Sequence, residues 1–216
     1  MVSEAQHETL RSLTKLWAIG LTGGIATGKS TIARTLRAAG EIVLDADQLA
    51  REVVAVGSEG LAAVVKHFGS QVLQADGQLD RTLLRQIIFK DPTQRHALEA
   101  ITHPRILSAT LFSLEKLGIR AQPRLWFYEA SLLFERSRAA DFREIWVAYC
   151  PEPLQIERLM RRDHCTAEEA RRILDAQMPA HKKAEQADRV IDTDCSEDEL
   201  ARRVAEARAA LQRTLP

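Results

Sequence analysis

Eight consecutive residues carry the clearest chemical signal in this chain: Gly23-Gly24-Ile25-Ala26-Thr27-Gly28-Lys29-Ser30. Gly23, Gly28, Lys29 and Ser30 occupy the fixed positions of the GxxxxGK[ST] pattern. Glycines let a backbone curl around an anion, and successive N–H groups then point inward at phosphate oxygens. A helix opening at the end of the loop adds the positive end of its dipole. Lys29 has the length to reach the β- and γ-phosphates of a nucleotide, and the Ser30 hydroxyl suits Mg²⁺. An ordinary glycine-rich turn has no need of Lys-Ser in this register. Gly23, Gly24, Ile25, Ala26, Thr27, Gly28, Lys29, Ser30 and Thr31 are therefore the expected nucleotide-binding segment.

Acidic residues at two further places suit phosphoryl transfer. Asp45-Ala46-Asp47 directly follows the apolar run 42–44, at the carboxyl end of an expected strand, where open α/β sheets bind ligands. A carboxylate there can take the proton of an acceptor hydroxyl or align it for in-line attack. Both aspartates also suit capping of a helix starting near Gln48, Asp45 the more so. Glu129 closes the run 125–128 and is placed like the acid after a Walker B strand, which holds a water of the Mg²⁺ shell.

Arg158, Arg161 and Arg162 are spaced i, i+3 and i+4 and share a helical face. Guanidinium groups bind phosphate oxygens in pairs of hydrogen bonds and neutralise charge that develops during transfer. Closure of such a helix would keep water from intercepting the phosphoryl group. With Glu157 and Asp163 beside it, the same run would also serve as a salt-bridged surface helix. Arg51, four residues after Asp47, is placed to hold an acidic acceptor or to pair with a neighbouring acid. His103 precedes Pro104, which suits the first position of a helix. It has no Cys, His or Asp partner at zinc spacing.

These groups need a scaffold. Short apolar runs at 17–21, 42–44, 125–128, 145–148 and 190–191 read as strands buried on both faces. Helical patterns separate them, which predicts an α/β three-layer core around a parallel five-stranded sheet. Between Leu44 and Leu125 the pattern is mostly helical, at 48–56, 59–68, 81–89, 92–100 and 104–117, far more than a crossover needs. An inserted lobe over a substrate is expected at 49–118, and a helical lid at 153–187. The core then comprises 16–48, 119–152 and 188–216. Thr166 with Glu169, and Ser196 with Glu199, have capping-box spacing ahead of helices near Ala167 and at 197–212. Residues 1–16 suggest a frayed helix with no chemistry of its own.

Composition narrows the classes. In 216 residues, 45% are hydrophobic and 28% charged, which can build a core and excludes a disordered or collagen-like chain. Thirty basic and thirty acidic residues cancel, giving no support for nucleic-acid binding. No apolar run approaches the ~20 residues of a membrane span. Cys150, Cys165 and Cys195 form neither a disulfide framework nor a CxxC pair, which suits the cytoplasm. Residues 1–16 carry Glu4, Glu8, Arg11 and Lys15 without a signal-peptide core. No obligate protein partner is expected. Another small-molecule or nucleotide kinase shares these features, as does a nucleotide-dependent switch, although no NKxD guanine-recognition motif is present.

An ordered set of segments then resembles the dephospho-CoA kinase family across roughly 16–211. They are IGLTGGIATGKSTIA, VLDADQLAREVV, HFGSQVL with DGQLDR, LEAITHP, SLLFE, QIERLMRRD and ADRVIDTD. The resemblance implies transfer of the γ-phosphoryl of Mg·ATP to the 3′-hydroxyl of dephospho-CoA. It implies phosphate-loop roles for Lys29 and Ser30, and makes Asp47 the general base. It sets Arg51 and His103 around the acceptor pocket, Arg158 and Arg162 in a basic lid, and Thr193 near adenine. This chain departs from the family pattern in places. GIATGKS stands for GIGSGKS, Glu129 for Asp, Ser131 for Pro, and Thr193 for Asn, which loses an amide that donates and accepts at once.

Overall fold

The structure, a computed structural model, describes residues 4–214. The chain runs α1 (Glu4–Trp17), β1 (Ala18–Gly23), α2 (Lys29–Ala38), β2 (Val43–Asp45), α3 (Ala46–Glu52), α4 (Glu59–Phe68), α5 (Arg81–Lys90), α6 (Pro92–Lys116), β3 (Trp126–Glu129) and β4 (Glu144–Tyr149). It continues through α7 (Glu152–Asp163), α8 (Ala167–Asp175), α9 (Ala180–Glu185), β5 (Arg189–Asp192) and α10 (Glu197–Gln212). It divides into two compact units, one built on Leu13–Leu44 and the chain from Arg124 onward, the other on Asp45–Pro123 with the described residues up to Ser12.

The first unit holds the sheet, in the order β2-β3-β1-β4-β5. β1 lies between β3 and β4 and is parallel to both, and β5 is parallel to β4. All six residues of β1 are buried, as the apolar run that opens it leads one to expect. Ile19 and Leu21 share a cluster with Ile32, Ala33 and Leu36 of α2 and with Leu200, Val204, Ala207 and Leu211 of α10. The three- and four-residue spacings on both helices put these side chains on one stripe. Each buried Ile, Leu or Val adds roughly 1.5–3 kcal/mol, so this packing, more than surface charge, fixes α2 against the strand that feeds the loop.

The second unit has its own core of Val54, Leu61, Val64, Phe68, Val72, Leu79 and Leu84. Side-chain caps start its helices: Ser58 Oγ accepts from Leu61 N, Asp80 Oδ1 from Leu83 N and Asp91 Oδ1 from Thr93 N.

Three sequence expectations need correction. Trp17 ends α1 and is not the first strand residue. The helix expected over 48–56 is α3, which starts at Ala46 and stops at Glu52. The two helices expected on either side of His103 are one, α6, with Pro104 inside it. Proline lacks the N–H for its turn, but Leu98 and Ile101 before it pack on the unit's core and carry the helix through. The Thr166–Glu169 capping box forms as its spacing predicts. At Ser196 only half of it forms: Ser196 accepts from Glu199 N, while the Glu199 carboxylate bonds Arg202 and Arg203.

Candidate active site

The loop between β1 and α2 is shaped by two left-handed residues, Ala26 (φ 59°) and Gly28 (φ 84°). Gly23 must be glycine for space: an added Cβ would lie 2.6 Å from Thr27 Oγ1 and 2.8 Å from the Ala148 carbonyl. Thr27 is buried and its hydroxyl donates to the Gly24 carbonyl at 2.8 Å, closing the loop across its base. That hydroxyl therefore shapes the loop, and what Thr27 offers a ligand is its backbone. Gly28 precedes α2 without a side-chain cap, and the first turn of α2 holds no acid. A positive helix end with nothing local to neutralise it is an anion site. Lys29 and the exposed Ser30 begin that helix.

Glu129 ends β3 beside this loop and is buried. Its Oε1 accepts from Lys29 Nζ at 2.8 Å and its Oε2 from Arg37 Nη2 at 3.3 Å. Pairing with two cations offsets part of the cost of taking this carboxylate out of water. Arg37 was not singled out by sequence reading. Only the packing of α2 against the sheet shows that it shares Glu129 with the loop lysine.

Behind the loop stands a second clasp. Thr193, buried just after β5, donates from Oγ1 to the Thr27 carbonyl at 2.6 Å. Arg158 of α7 donates to Thr193 Oγ1 at 3.0 Å, to the Thr193 carbonyl at 2.7 Å and to the Ala26 carbonyl at 3.5 Å. The three arginines of α7 thus have different surroundings despite their shared face. Arg158 is half-buried and ties loop to strand end, while Arg161 and Arg162 are exposed. Arg162 grips Asp163 through two bonds of 2.6 and 2.9 Å, and that bond raises its pKa above the usual guanidinium value. Cys150 sits against the same clasp, its Sγ 3.5 Å from Arg158 Nη1. Burial pushes its thiol pKa up, against the opposing pull of Arg158.

A cavity of about 180 Å³ adjoins the loop, lined by Gly24, Ile25, Cys150, Gln155, Gln177 and Met178 among others. Gln177 Oε1 accepts from Ile25 N at 3.2 Å. Gln155 is buried and its Nε2 finds no hydrogen-bond partner among the described residues.

Asp47, Arg51 and His103 lie on the helical unit. Asp47 and Arg51 are exposed on α3, and His103 is exposed on α6. Asp45 caps α3, its Oδ1 accepting from Asp47 N at 2.8 Å and Gln48 N at 3.0 Å. Because the capping role is filled by Asp45, the Asp47 carboxylate is not consumed by it.

A parallel sheet with a glycine loop opening into an uncapped helix, and a carboxylate on the neighbouring strand end facing the loop lysine, defines a P-loop nucleotide-binding protein of the kinase type. The sequence model described as Dephospho-CoA kinase matches residues 17–199, and the chain belongs to that family. A curated Dephospho-CoA kinase of Geobacter sulfurreducens is 44% identical over 87% of this chain and 95% of its own length. One of Anaeromyxobacter dehalogenans is 44% identical over 92% and 95%. A solved Thermus thermophilus protein is similar in fold, with a TM-score of 0.79, 31% identity and coverage of 90% of this chain and 97% of its own. A solved dephospho-CoA kinase of Campylobacter jejuni gives 0.64 at 26% identity, covering 91% and 97%.

Proposed function

We propose that this chain transfers the γ-phosphoryl group of ATP to the 3′-hydroxyl of dephospho-CoA, yielding CoA and ADP in the last step of CoA synthesis. The observation that carries the reading is the uncapped start of α2 with Lys29 and Glu129 at its mouth, in a member of this family.

The backbone of Gly24 to Thr31 binds the donor phosphates through its N–H groups, and Lys29 shifts from Glu129 toward the β- and γ-oxygens as they arrive. Thr193 and Arg158 hold the loop from behind and form the adenine-side wall. Arg161 and Arg162, on the exposed end of α7, turn to the substrates and neutralise the migrating group. On the acceptor side, Asp47 takes or aligns the ribose hydroxyl's proton, while Arg51 and His103 hold the dephospho-CoA. Residues 49–118 form the acceptor lobe and 153–187 the lid. Positioning and charge stabilisation supply most of the acceleration in such transfers.

Mg²⁺ fits the donor set. No group of three or more His, Cys, Asp or Glu that could hold a metal occurs among the described residues. Mg²⁺ needs none, because it keeps several waters and takes phosphate oxygens with one or two protein groups. Ser30 Oγ would hold it directly and Glu129 through a water. When bound, it would supply neutralisation of the negative charge on the donor phosphates.

No helix among the described residues is long and apolar enough to cross a membrane. A cytoplasmic location accords with the three free thiols, and neither nucleic acid nor an obligate protein partner is part of the proposal.

The test is a coupled ADP assay with Mg·ATP and dephospho-CoA, with CoA detected by mass, beside a panel of other acceptor alcohols. CoA formation with dephospho-CoA preferred is the expected result. Turnover only with another acceptor, or nucleotide hydrolysis without CoA, overturns it. Asp47→Asn should lower acceptor-dependent ADP formation by about 10²–10⁴-fold, the range of general-base contributions, with ATP binding little changed. A variant that turns over like the parent removes Asp47 from that role.

A further inference from the structure

Lys183 of α9 has no exposed side-chain surface. An ammonium taken out of water costs several kcal/mol unless its charge and its donors are met. Here they are met by three acceptors from different segments. Nζ lies 2.8 Å from Glu135 Oε1, 2.8 Å from the Ser131 carbonyl and 3.5 Å from the Gly23 carbonyl. Three donors meet three acceptors.

The two carbonyls belong to the strand ends that carry the candidate site. Gly23 closes β1 and opens the phosphate loop, and Ser131 lies two residues beyond Glu129. The Thr22 hydroxyl reaches the same Ser131 carbonyl at 3.3 Å, and Glu135 also accepts from Met178 N at 3.2 Å. The segment leading into α9 grips the loop as well. Gln177 holds Ile25 N, and Ala180 Cβ lies 3.4 Å from where a Gly24 Cβ would stand.

We infer that Lys183 is a positioning residue for phosphoryl transfer: its buried ammonium fixes the Gly23 corner of the loop to the Ser131 segment. That tie sets the separation of Lys29 from Glu129. Lys183 touches neither substrate; it acts through these two backbone segments. The inference rests on the kinase reading above and adds to it a residue that sets the geometry of the same site. Without the ammonium, two carbonyls and one carboxylate lose their common donor. Among the described residues, the Gly23 corner and the Ser131 segment are then joined only through the longer Thr22–Ser131 bond and the Ala130 N–H to the Leu21 carbonyl, which leaves the loop corner itself untied.

The experiment compares the parent with Lys183→Met, the pair Lys183→Met/Glu135→Leu, and Glu135→Gln. Each is measured for thermal unfolding, ATP binding, kcat and KM. Lys183→Met leaves Glu135 without its cation and should melt lower. In the pair no lone charge remains, and apolar replacement of a buried ion pair is often neutral or better for stability. The pair should therefore regain most of the lost melting temperature. Its kcat should nevertheless stay down by ~30–100-fold, because displacing reacting groups by about 1 Å costs that order of rate, with ATP affinity within about threefold. Glu135→Gln keeps both carbonyl contacts and should retain kcat within about threefold while melting lower.

If the paired variant recovers kcat together with melting temperature, Lys183 is a packing charge only and the inference fails. It also fails if Glu135→Gln loses kcat as severely as Lys183→Met. Should the methionine variants not fold, Lys183→Gln, which keeps N–H donors on a shorter chain, is read for the same split of kcat from ATP affinity; parental kcat there rejects the inference. Absence of CoA formation by the parent would instead defeat the kinase reading, so the two failures are distinguishable.

Discussion

At the scale of single residues, the phosphate loop contains one strained position with a direct test. Ala26 holds φ 59°, where a Cβ crowds the following carbonyl and glycine pays no such cost. Ala26→Gly should raise unfolding stability by about 0.5–1 kcal/mol, the strain relieved less glycine's larger unfolded-state entropy. Urea melts with an unchanged m-value would check it. The arginines of α7 should separate by readout. Arg158→Ala removes the donor to Thr193 and Ala26 and should lower both the melting temperature and turnover. Arg162→Ala removes an exposed group paired only locally with Asp163, so its stability should change by less than about 0.5 kcal/mol. A turnover loss of tenfold or more in that variant would report contact with the migrating phosphate, and parental turnover would move that role to Arg161.

At the scale of elements, helix ends and interruptions give two further tests. Glu199, in the first turn of α10, accepts from Arg202 and Arg203, and these bonds hold its carboxyl at about 2. A carboxyl whose folded pKa is depressed stabilises the fold fully above its unfolded value of 4.5 and loses that contribution as pH falls toward about 2. The melting difference between the parent and Glu199→Gln should therefore be constant at neutral pH and shrink across that acidic window. A difference that persists at pH 2 would exclude the titration as its source. Pro104 inside α6 offers the other test. Proline is about 3 kcal/mol less favourable than alanine in a helix interior, while its rigid unfolded state offsets about 1. Pro104→Ala should raise stability by about 1–2 kcal/mol, checked by thermal unfolding. An unchanged melt would mean that the helix already absorbs the proline without loss.

At the scale of the whole molecule, ligand linkage tests the division into two units. ATP at a hundredfold its Kd should stabilise the protein by about 2.7 kcal/mol, with amide exchange slowed first across the loop and the first turn of α2. Dephospho-CoA should protect α3 and α6 instead; protection by both ligands in one unit alone would contradict the proposed roles. The phosphate loop, the five strands and the capping box at Thr166 were legible in the amino-acid order, because glycine spacing, apolar runs and capping are local physics. The shared partnership of Lys29 and Arg37 on Glu129 was not legible, since 100 and 92 residues separate the partners and nothing in the sequence signals it. Nor was the burial of Lys183: Lys182 beside it has the same chemistry and is exposed, and only the fold, which brings the Gly23 and Ser131 carbonyls and Glu135 around Lys183 Nζ, chose between them. The course of α6 through Pro104 was decided in the same way, by apolar contacts that outweigh a local preference. What the sequence determined alone is the anion-binding loop and the sheet beneath it, whose signals lie within a few residues of each other. The tertiary structure decided which charges are buried together, because desolvation and pairing depend on neighbours that only folding brings within reach.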